Sequence, residues 1–418
     1  MDCRSPLVRR IATSGPVRVA LICTSLLLVL ISAVRFQAPE LLGQAKVLTD
    51  FDAFHIAGQM AKEGRADQTY HMREMLAAQH EVSGTRSFMP WTYPPPFTLL
   101  MQGLAHLPVG VAFALFTLSS FAFYLWILRR IAGEWWLATV IAIMPTVLLN
   151  LRTGQNGFLI GGLIGYFLLA FQEGRRIAGV PLGLMVIKPH LAAGVGLITL
   201  LKTRWSILIL AGLVAFALLL IATWSYGLGI WLDFRDAVKE ASFFLSKGFY
   251  PLFRMSSIYA SAFTFSLSAM TAMILQAVGA LLALGLLARA CLRGIDYHHL
   301  AALTCAASLF VSPYGYDYDL TILGVGLAFL IPDLLRRCGG LEVLSLLLLS
   351  WFVCGFGIAW NAGISTSQAD RVIELDGSHS GLALIAPALI FLCWHTARLL
   401  RQQNDGAAWA REIVDDCL

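Results

Sequence analysis

Apolar stretches of about 20 residues recur along the whole of this chain, each followed by a short polar or basic segment. That length is what an α-helix, rising about 1.5 Å per residue, needs to cross the hydrocarbon of a bilayer. Composition closes the alternative. Hydrophobic residues make up 58% of the 418 and charged residues only 13%, against roughly 25% charged in an ordinary soluble chain. A soluble globule of this size would lack the polar residues to cover its surface. The expectation is therefore an all-α polytopic membrane protein.

Full spans are expected at about 19–37, 109–130, 135–151, 156–173, 205–226, 268–290, 298–313, 318–335, 341–361 and 381–400. The net charge of +5 matters less than where it sits: Arg129-Arg130, Arg175-Arg176 and Arg336-Arg337 each close an apolar segment. Cytoplasmic loops hold the excess of Lys and Arg, so these pairs read as topology signals and not as a nucleic-acid surface. Segment 177–201 breaks the pattern with Lys188-Pro189-His190 at its centre and Lys202 and Arg204 at its end. One span there would reverse every later charge cluster, whereas a broken hairpin with both ends cytoplasmic keeps them consistent; the two readings stay open. Non-helical backbone at membrane depth is tolerated where it is buried or lines a wet cavity, so the Lys-Pro-His tip should face a site.

On this scheme a single membrane domain covers 19–400, between a cytoplasmic N-terminus, 1–18, and a polar, frayed tail, 401–418. The first span reads as an uncleaved anchor. The largest external segment, 38–108, should carry two surface helices near 50–64 and 70–82, then a short apolar helix from Pro94 to Leu107. The eight cysteines show no CxxC spacing, so neither a disulfide framework nor a cysteine zinc site is expected.

Ionisable groups at membrane depth are costly and mark function by default, and here they gather on one inferred face. Asp50 and Asp52 are carboxylates fit for general-base work, although Thr49 or Asp50 would equally cap a helix. Two residues apart, they are not ranked by spacing. Cations that could meet a phosphate are Lys188, Arg152 and Arg254. His55, Tyr93, Gln155, Asn156, His190, Tyr314, Asp317 and Asp319 are candidates for substrate contacts, with plain readings beside them: Tyr93 as an interfacial aromatic, 152–157 as a tight turn, the two aspartates as helix caps. No pair of histidines has metal-ligand spacing, so no metal residue is assigned and no cofactor expected, a divalent ion staying open. Polar groups scattered along a path would suit a transporter or flippase of lipid-linked or small polar substrates; concentration at one face suits an active site.

In order, the chain carries Asp50-Phe51 with Phe54 and Ala57-Gly58, Tyr70, Tyr93-Pro94-Pro95, Gly154-Gln155-Asn156, Lys188-Pro189 and Ser312-Pro313. This series resembles glycosyltransferase family 87, bacterial GT-C-type membrane enzymes, over roughly residues 17–400. The resemblance implies a GT-C-like fold and an inverting hexosyl- or pentosyltransferase at the outer face of the cytoplasmic membrane. It implies a polyprenyl-phosphate sugar as donor, a lipid or glycan as acceptor, membrane lipids as surroundings and no nucleic-acid partner. It places the catalytic Asp in the first external loop, matching Asp50 with Phe54 four residues on, Asp52 standing second. The Tyr-Gly-Tyr-Asp-Tyr-Asp run after Ser312-Pro313 departs from the family, which often carries Trp or His there.

Overall fold

A computed structural model of the chain describes residues 14–84, 89–365 and 381–416, with side chains for all but 364, 365 and 402–416. Residues 1–13 with Cys3, most of the expected 362–380 loop with His379, and Cys417 lie outside the described residues. Every regular element found is helical. Helix α1 (Gly15–Leu42) starts at Ser14, whose hydroxyl accepts from the Val17 N–H, and stops at Gly43 in the left-handed region. The following loop holds α2 (Asp50–Lys62), α3 (Met72–Ser83) and α4 (Pro95–Leu104), close to the three helices expected there. The middle of the chain forms α5 (Val109–Ala132), α6 (Trp136–Ala142), α7 (Met144–Thr153), α8 (Gly157–Gln172), α9 (Gly179–Leu184), α10 (Ala193–Leu201) and α11 (Trp205–Tyr226). After it come α12 (Ile230–Ser246), α13 (Ile258–Thr264), α14 (Ala269–Arg293), α15 (Tyr297–Val311), α16 (Thr321–Arg337), α17 (Gly340–Ser365) and α18 (Ile385–Asp416).

Among the described residues six helical runs are long and apolar enough to cross a membrane: Gly15–Leu42, Val109–Ala142, Trp205–Tyr226, Ala269–Arg293, Asp317–Arg337 and Gly340–Gly363. Expected spans 156–173 and 298–313 are helices of 16 and 15 residues. The stretch expected as one span at 135–151 is two helices that meet at Ile143, because Pro145 supplies no N–H to continue the ladder. At the other end of the chain, the expected frayed tail is helical in backbone as far as Asp416.

Segment 177–201 is broken where the sequence places Lys188-Pro189. Lys188 lies at φ −144°, ψ 69° between two short 3₁₀ turns, outside the α region that a following proline disfavours. Its first half packs against the start of α11 at very close range: a Cβ on Gly179 would lie 2.6 Å from the Ile207 carbonyl oxygen, and one on Gly183 2.6 Å from that of Ala211. Its second half packs on α15, with the Gly194 N–H donating to Ser308 Oγ at 3.2 Å.

Small residues also set the centre of the molecule. A Cβ on Gly157 would fall 2.2 Å from the Tyr318 carbonyl oxygen, and one on Gly161 3.0 Å from Thr321 Oγ1. Close approach of this kind gives dispersion contact between helices that lipid cannot drive together by hydrophobicity. It seats α8 against the loop that leads into α16, and Thr321 Oγ1 donates to the Gly157 carbonyl at 2.7 Å. That loop carries most of the buried charge described next.

Candidate active site

Helix α2 sorts the acidic pair by its own geometry. At about 100° per residue, Asp50 and Phe54 share one face while Asp52, His55 and Gln59 lie on the opposite one. Asp52 spends both oxygens locally. Oδ2 accepts from the Thr49 N–H at 2.9 Å and its hydroxyl at 3.2 Å, and Oδ1 takes the Lys46 ammonium at 2.7 Å. The plain reading of a cap therefore describes Asp52, with Thr49 as the N-cap. His55, on the same side, is buried and hydrogen-bonded at 3.0 Å through Nε2 to the Leu107 carbonyl. Its charged form is disfavoured first by burial.

Asp50 is different. It is half-buried at the first helical position, and among the described residues its carboxylate makes no hydrogen bond or ion pair. Its charge acts on Tyr93, Arg254, Tyr316, Asp317 and Tyr318, which places it at the edge of one cluster drawn from four distant parts of the chain.

Two ion pairs form the floor of that cluster. Arg254 donates from Nε and Nη2 to the two oxygens of Asp317, both at 3.1 Å. The fork is bidentate, the strong geometry for this pair. Burial alone would lower the Arg254 guanidinium, but the carboxylates of Asp317 and Asp50 outweigh it and hold the group above its usual value. Lys188 donates to Asp319 at 2.8 Å, with the side chains only 7% and 1% exposed. Lys188 also stands 4.6 Å from the centre of the Tyr318 ring, and Arg254 lies over Tyr316. The rings of Tyr316 and Tyr318 stack at 5.3 Å, so both cations rest on one aromatic pair.

The backbone beneath is pinned from two sides. Thr146 and Asn150 of α7 donate to the carbonyls of Asp317 and Tyr318, at 3.1 Å each. Ser256 donates its N–H to the Gly315 carbonyl at 2.7 Å, which brings Arg254 alongside. Gly357 of α17 closes the floor, since a Cβ there would lie 2.6 Å from Asp317 Oδ2.

The neutral groups complete the site. Tyr93 is held in an aromatic cluster with Phe54, Trp91 and Phe97, and its hydroxyl donates to Gln155 Oε1 at 3.4 Å. Burial keeps that hydroxyl well above its ordinary range. Asn156 is fully buried, and neither atom of its amide has a hydrogen-bond partner among the described residues. The Tyr93 hydroxyl comes near enough to be influenced by it without the geometry of a hydrogen bond. A sealed amide of this kind costs about 1–3 kcal/mol and calls for an explanation. Ser256 Oγ is a second buried orphan.

Of the residues singled out from sequence, Asp50, Tyr93, Gln155, Asn156, Lys188, Arg254, Asp317 and Asp319 converge. His190, half-buried, is adjacent to Lys188 and feels its charge and that of Asp319. Arg152 is exposed at the end of α7 and makes no ion pair among the described residues. Asp52 and His55 turn away, and the Tyr314 hydroxyl points to Ser242 Oγ at 3.2 Å, away from the cations. Tyr316 and Tyr318, which the sequence places among the polar residues of the same face without a site role, join the cluster, because the alternation Tyr-Asp-Tyr-Asp in a 3₁₀ turn brings aromatic and acidic groups together. Among the described residues no three His, Cys, Asp or Glu side chains are grouped to hold a metal ion.

The cluster thus joins an unpartnered carboxylate, two cations held by aspartates and neutral hydrogen-bonding groups. The model of glycosyltransferase family 87 matches residues 91–313, more than half of the chain. The match takes in Tyr93, Gln155, Asn156, Lys188 and Arg254 and ends just before Asp317. No curated protein and no solved structure matches the chain.

Proposed function

The chain belongs to glycosyltransferase family 87 and is a multi-pass membrane glycosyltransferase, and from that premise we propose an inverting enzyme that moves a sugar from a polyprenyl-phosphate donor to a lipid or glycan acceptor. The reading places the reaction at the outer face of the cytoplasmic membrane. Both termini are then cytoplasmic, ten segments span, and 177–201 enters and leaves at one face. Support for the orientation comes from the basic last turns of α5, α14 and α16, which suit the side where Lys and Arg accumulate.

In this reading Asp50 takes the proton of an acceptor hydroxyl while that oxygen attacks the anomeric carbon from the side opposite the phosphate. The new carbon–oxygen bond forms as the bond from the anomeric carbon to the phosphate oxygen breaks, and the polyprenyl phosphate departs with the electron pair. Lys188 and Arg254 stabilise the charge developing on it. Lys188 has two N–H bonds left beyond its pair with Asp319, and Arg254 three beyond Asp317, so neither carboxylate exhausts its cation. The charges also balance through the step: Asp50 loses one negative charge as the leaving phosphate gains one. Gln155, Asn156 and Tyr93 face the sugar hydroxyls.

The observation that carries this reading is the unpartnered Asp50 carboxylate beside two preorganised cations, Lys188 buried and Arg254 half-buried. Its test is transfer from a panel of radiolabelled polyprenyl-phosphate sugars to extracted membrane acceptors by the protein in lipid. Asp50→Asn should lower transfer by ~10²–10⁴-fold with the fold intact. Asp52→Asn should instead lower stability, because Lys46 and the helix start lose their partner. Full activity in Asp50→Asn would remove the base, and consumption of no donor by wild type would remove the donor class.

A further inference from the structure

Tyr70, one of the residues in the ordered series along the sequence, has no part in the chemistry above. It ends a short 3₁₀ turn, Asp67–Tyr70, and is buried. Its hydroxyl lies 2.9 Å from the Tyr93 carbonyl and 3.0 Å from Thr98 Oγ1. Trp91 Nε1 donates to the same threonine oxygen at 3.0 Å. An indole nitrogen only donates and a carbonyl only accepts, so the direction of every proton is fixed. Trp91 donates to Thr98, Thr98 to Tyr70 and Tyr70 to Tyr93. In such a chain each hydroxyl that accepts becomes a better donor, and the bonds strengthen one another.

The main chain held in this way has no ladder of its own. Residues 91–94 lie outside every helix, and Pro94, Pro95 and Pro96 bring no N–H to one. The Tyr93 ring is gripped by Phe54 and Phe97, at 5.3 and 4.5 Å between centres. Apolar contact is non-directional and leaves a ring free to slide along its own axis. The bond from Tyr70 to the Tyr93 carbonyl removes that freedom. The other end of Tyr93 lies in the site, its hydroxyl 3.4 Å from Gln155 Oε1 and its ring centre 5.8 Å from Lys188 Nζ. Tyr70 is itself braced from outside. Its ring meets Phe234 of α12 edge to face at 5.8 Å, and the next residue, His71, bonds to Asp233 at 3.2 Å.

We propose that Tyr70 is a positioning residue for sugar transfer: its hydroxyl fixes the Tyr93 main chain, and through it the Tyr93 hydroxyl that meets the donor sugar beside Gln155. The role in transfer rests on the transferase reading above, whereas the anchoring of Tyr93 can be read without a sugar donor. Tyr70→Phe isolates it, because the ring and its packing on Phe234 stay while both hydrogen bonds go. Tyr297→Phe is the structural comparison. The Tyr297 hydroxyl likewise donates to a main-chain carbonyl, that of Leu168, but from the first residue of α15, at the end of that helix away from the site.

With the full-length protein in lipid and a polyprenyl-phosphate sugar as donor, Tyr70→Phe should raise donor KM on the order of tenfold, the scale of one buried hydrogen bond. Its kcat should stay within about twofold, since the lost contact is one of binding. Tyr297→Phe should lose comparable stability and keep the wild-type KM. In a Tyr93→Phe background, Tyr70→Phe should add less than about twofold, because the hydroxyl it places is gone. Hydrogen–deuterium exchange read by mass spectrometry, with no donor present, should find the amides of Trp91, Thr92 and Tyr93 exchanging on the order of tenfold faster in Tyr70→Phe and unchanged in Tyr297→Phe. Unchanged exchange in Tyr70→Phe overturns the anchor. Faster exchange with a wild-type KM, an equal rise of KM in Tyr297→Phe, or additive losses with Tyr93→Phe overturns the role in transfer. A wild type that consumes no donor, with exchange still faster in Tyr70→Phe, removes the transferase reading and the role in transfer together while the anchor stands.

Discussion

Replacing Lys188 by Met tests whether the floor of the site is a buried, mutually dependent charge pair. The ammonium and the Asp319 carboxylate are 2.8 Å apart and nearly sealed from solvent. At an effective dielectric near 20 their attraction is roughly 6 kcal/mol, which is about what withdrawing both charges from water costs. The whole pair is therefore worth little to stability, but half of it is expensive. Lys188→Met leaves Asp319 buried and uncompensated and should destabilise by about 3–5 kcal/mol. Lys188→Met with Asp319→Leu should return to within roughly 1–2 kcal/mol of wild type. Unfolding in detergent, followed by tryptophan fluorescence, reads the stability, and transfer from the polyprenyl-phosphate sugar reads the function. The double variant should fold and stay inactive, because the cation proposed to meet the leaving phosphate is gone. A single variant as stable as wild type would refute the burial argument, and a double variant with wild-type transfer would refute the role of Lys188.

Asn156→Ala removes an amide that has no native partner, so stability should hold or rise while donor KM increases at least severalfold; a large loss of stability with unchanged KM would mean the amide is paired in the fold. Gly357→Ala forces a Cβ to within 2.6 Å of Asp317 Oδ2 and must displace the Arg254 fork, so transfer should fall about tenfold, the effect of ~1.4 kcal/mol, and a fully active variant would show that the fork is not held rigidly. For His55, burial sets the folded-state pKa below the unfolded value of about 6.5. The unfolded chain then binds the extra proton first, so this contribution is complete above about pH 6.5 and is lost as pH falls below it. His55→Gln should remove that part of the acid slope of stability, and identical slopes in the two proteins would show that the ring titrates freely.

Much of the fold was legible because two strong rules acted alone. Stretches such as 205–226 and 341–361 are apolar all round, and only a membrane-crossing helix suits them; α11 and α17 follow. Span 135–151 read too regular, because hydropathy counts apolar residues without seeing where Pro145 interrupts the ladder, whereas the helices at 157–172 and 297–311 lie within two residues of the expected bounds. Lys188 was legible as a break, since proline constrains the residue before it. Its partner was not: Asp319 lies 131 residues on, and no local rule pairs them. Arg152 stood out as a cation on the inferred external side, yet its position in the last turn of α7 aims it into the open, where it complements the helix end instead. Asp50 and Asp52 looked equivalent in one dimension. Two residues on a helix are about 200° apart, so opposite faces followed once α2 was granted, but which face met the cations depended on Tyr93, Arg254 and the Asp317 turn arriving from elsewhere.

If the cluster receives a phosphate as proposed, the pairing of each cation with an aspartate answers a difficulty that any membrane-embedded phosphate site meets. Between turnovers a bare lysine and arginine at this depth would cost several kcal/mol each in desolvation and would attract whatever anion was available. Asp317 and Asp319 supply that anion permanently, and the stacked rings of Tyr316 and Tyr318 spread the remaining field. The cations stay fixed in place and partly unsatisfied in hydrogen bonding, so a phosphate accepts from N–H groups already oriented toward it and leaves the resident carboxylates in place. The arrangement also separates two functions that one residue could not combine. A carboxylate locked to Lys188 or Arg254 is a poor base, because its oxygens already accept hydrogen bonds from the cation. Asp50, at a helix start and without a partner, is the carboxylate of the cluster left free to take a proton. Loss of the Arg254 fork should therefore change binding of the phosphate first, and loss of Asp50 the chemical step.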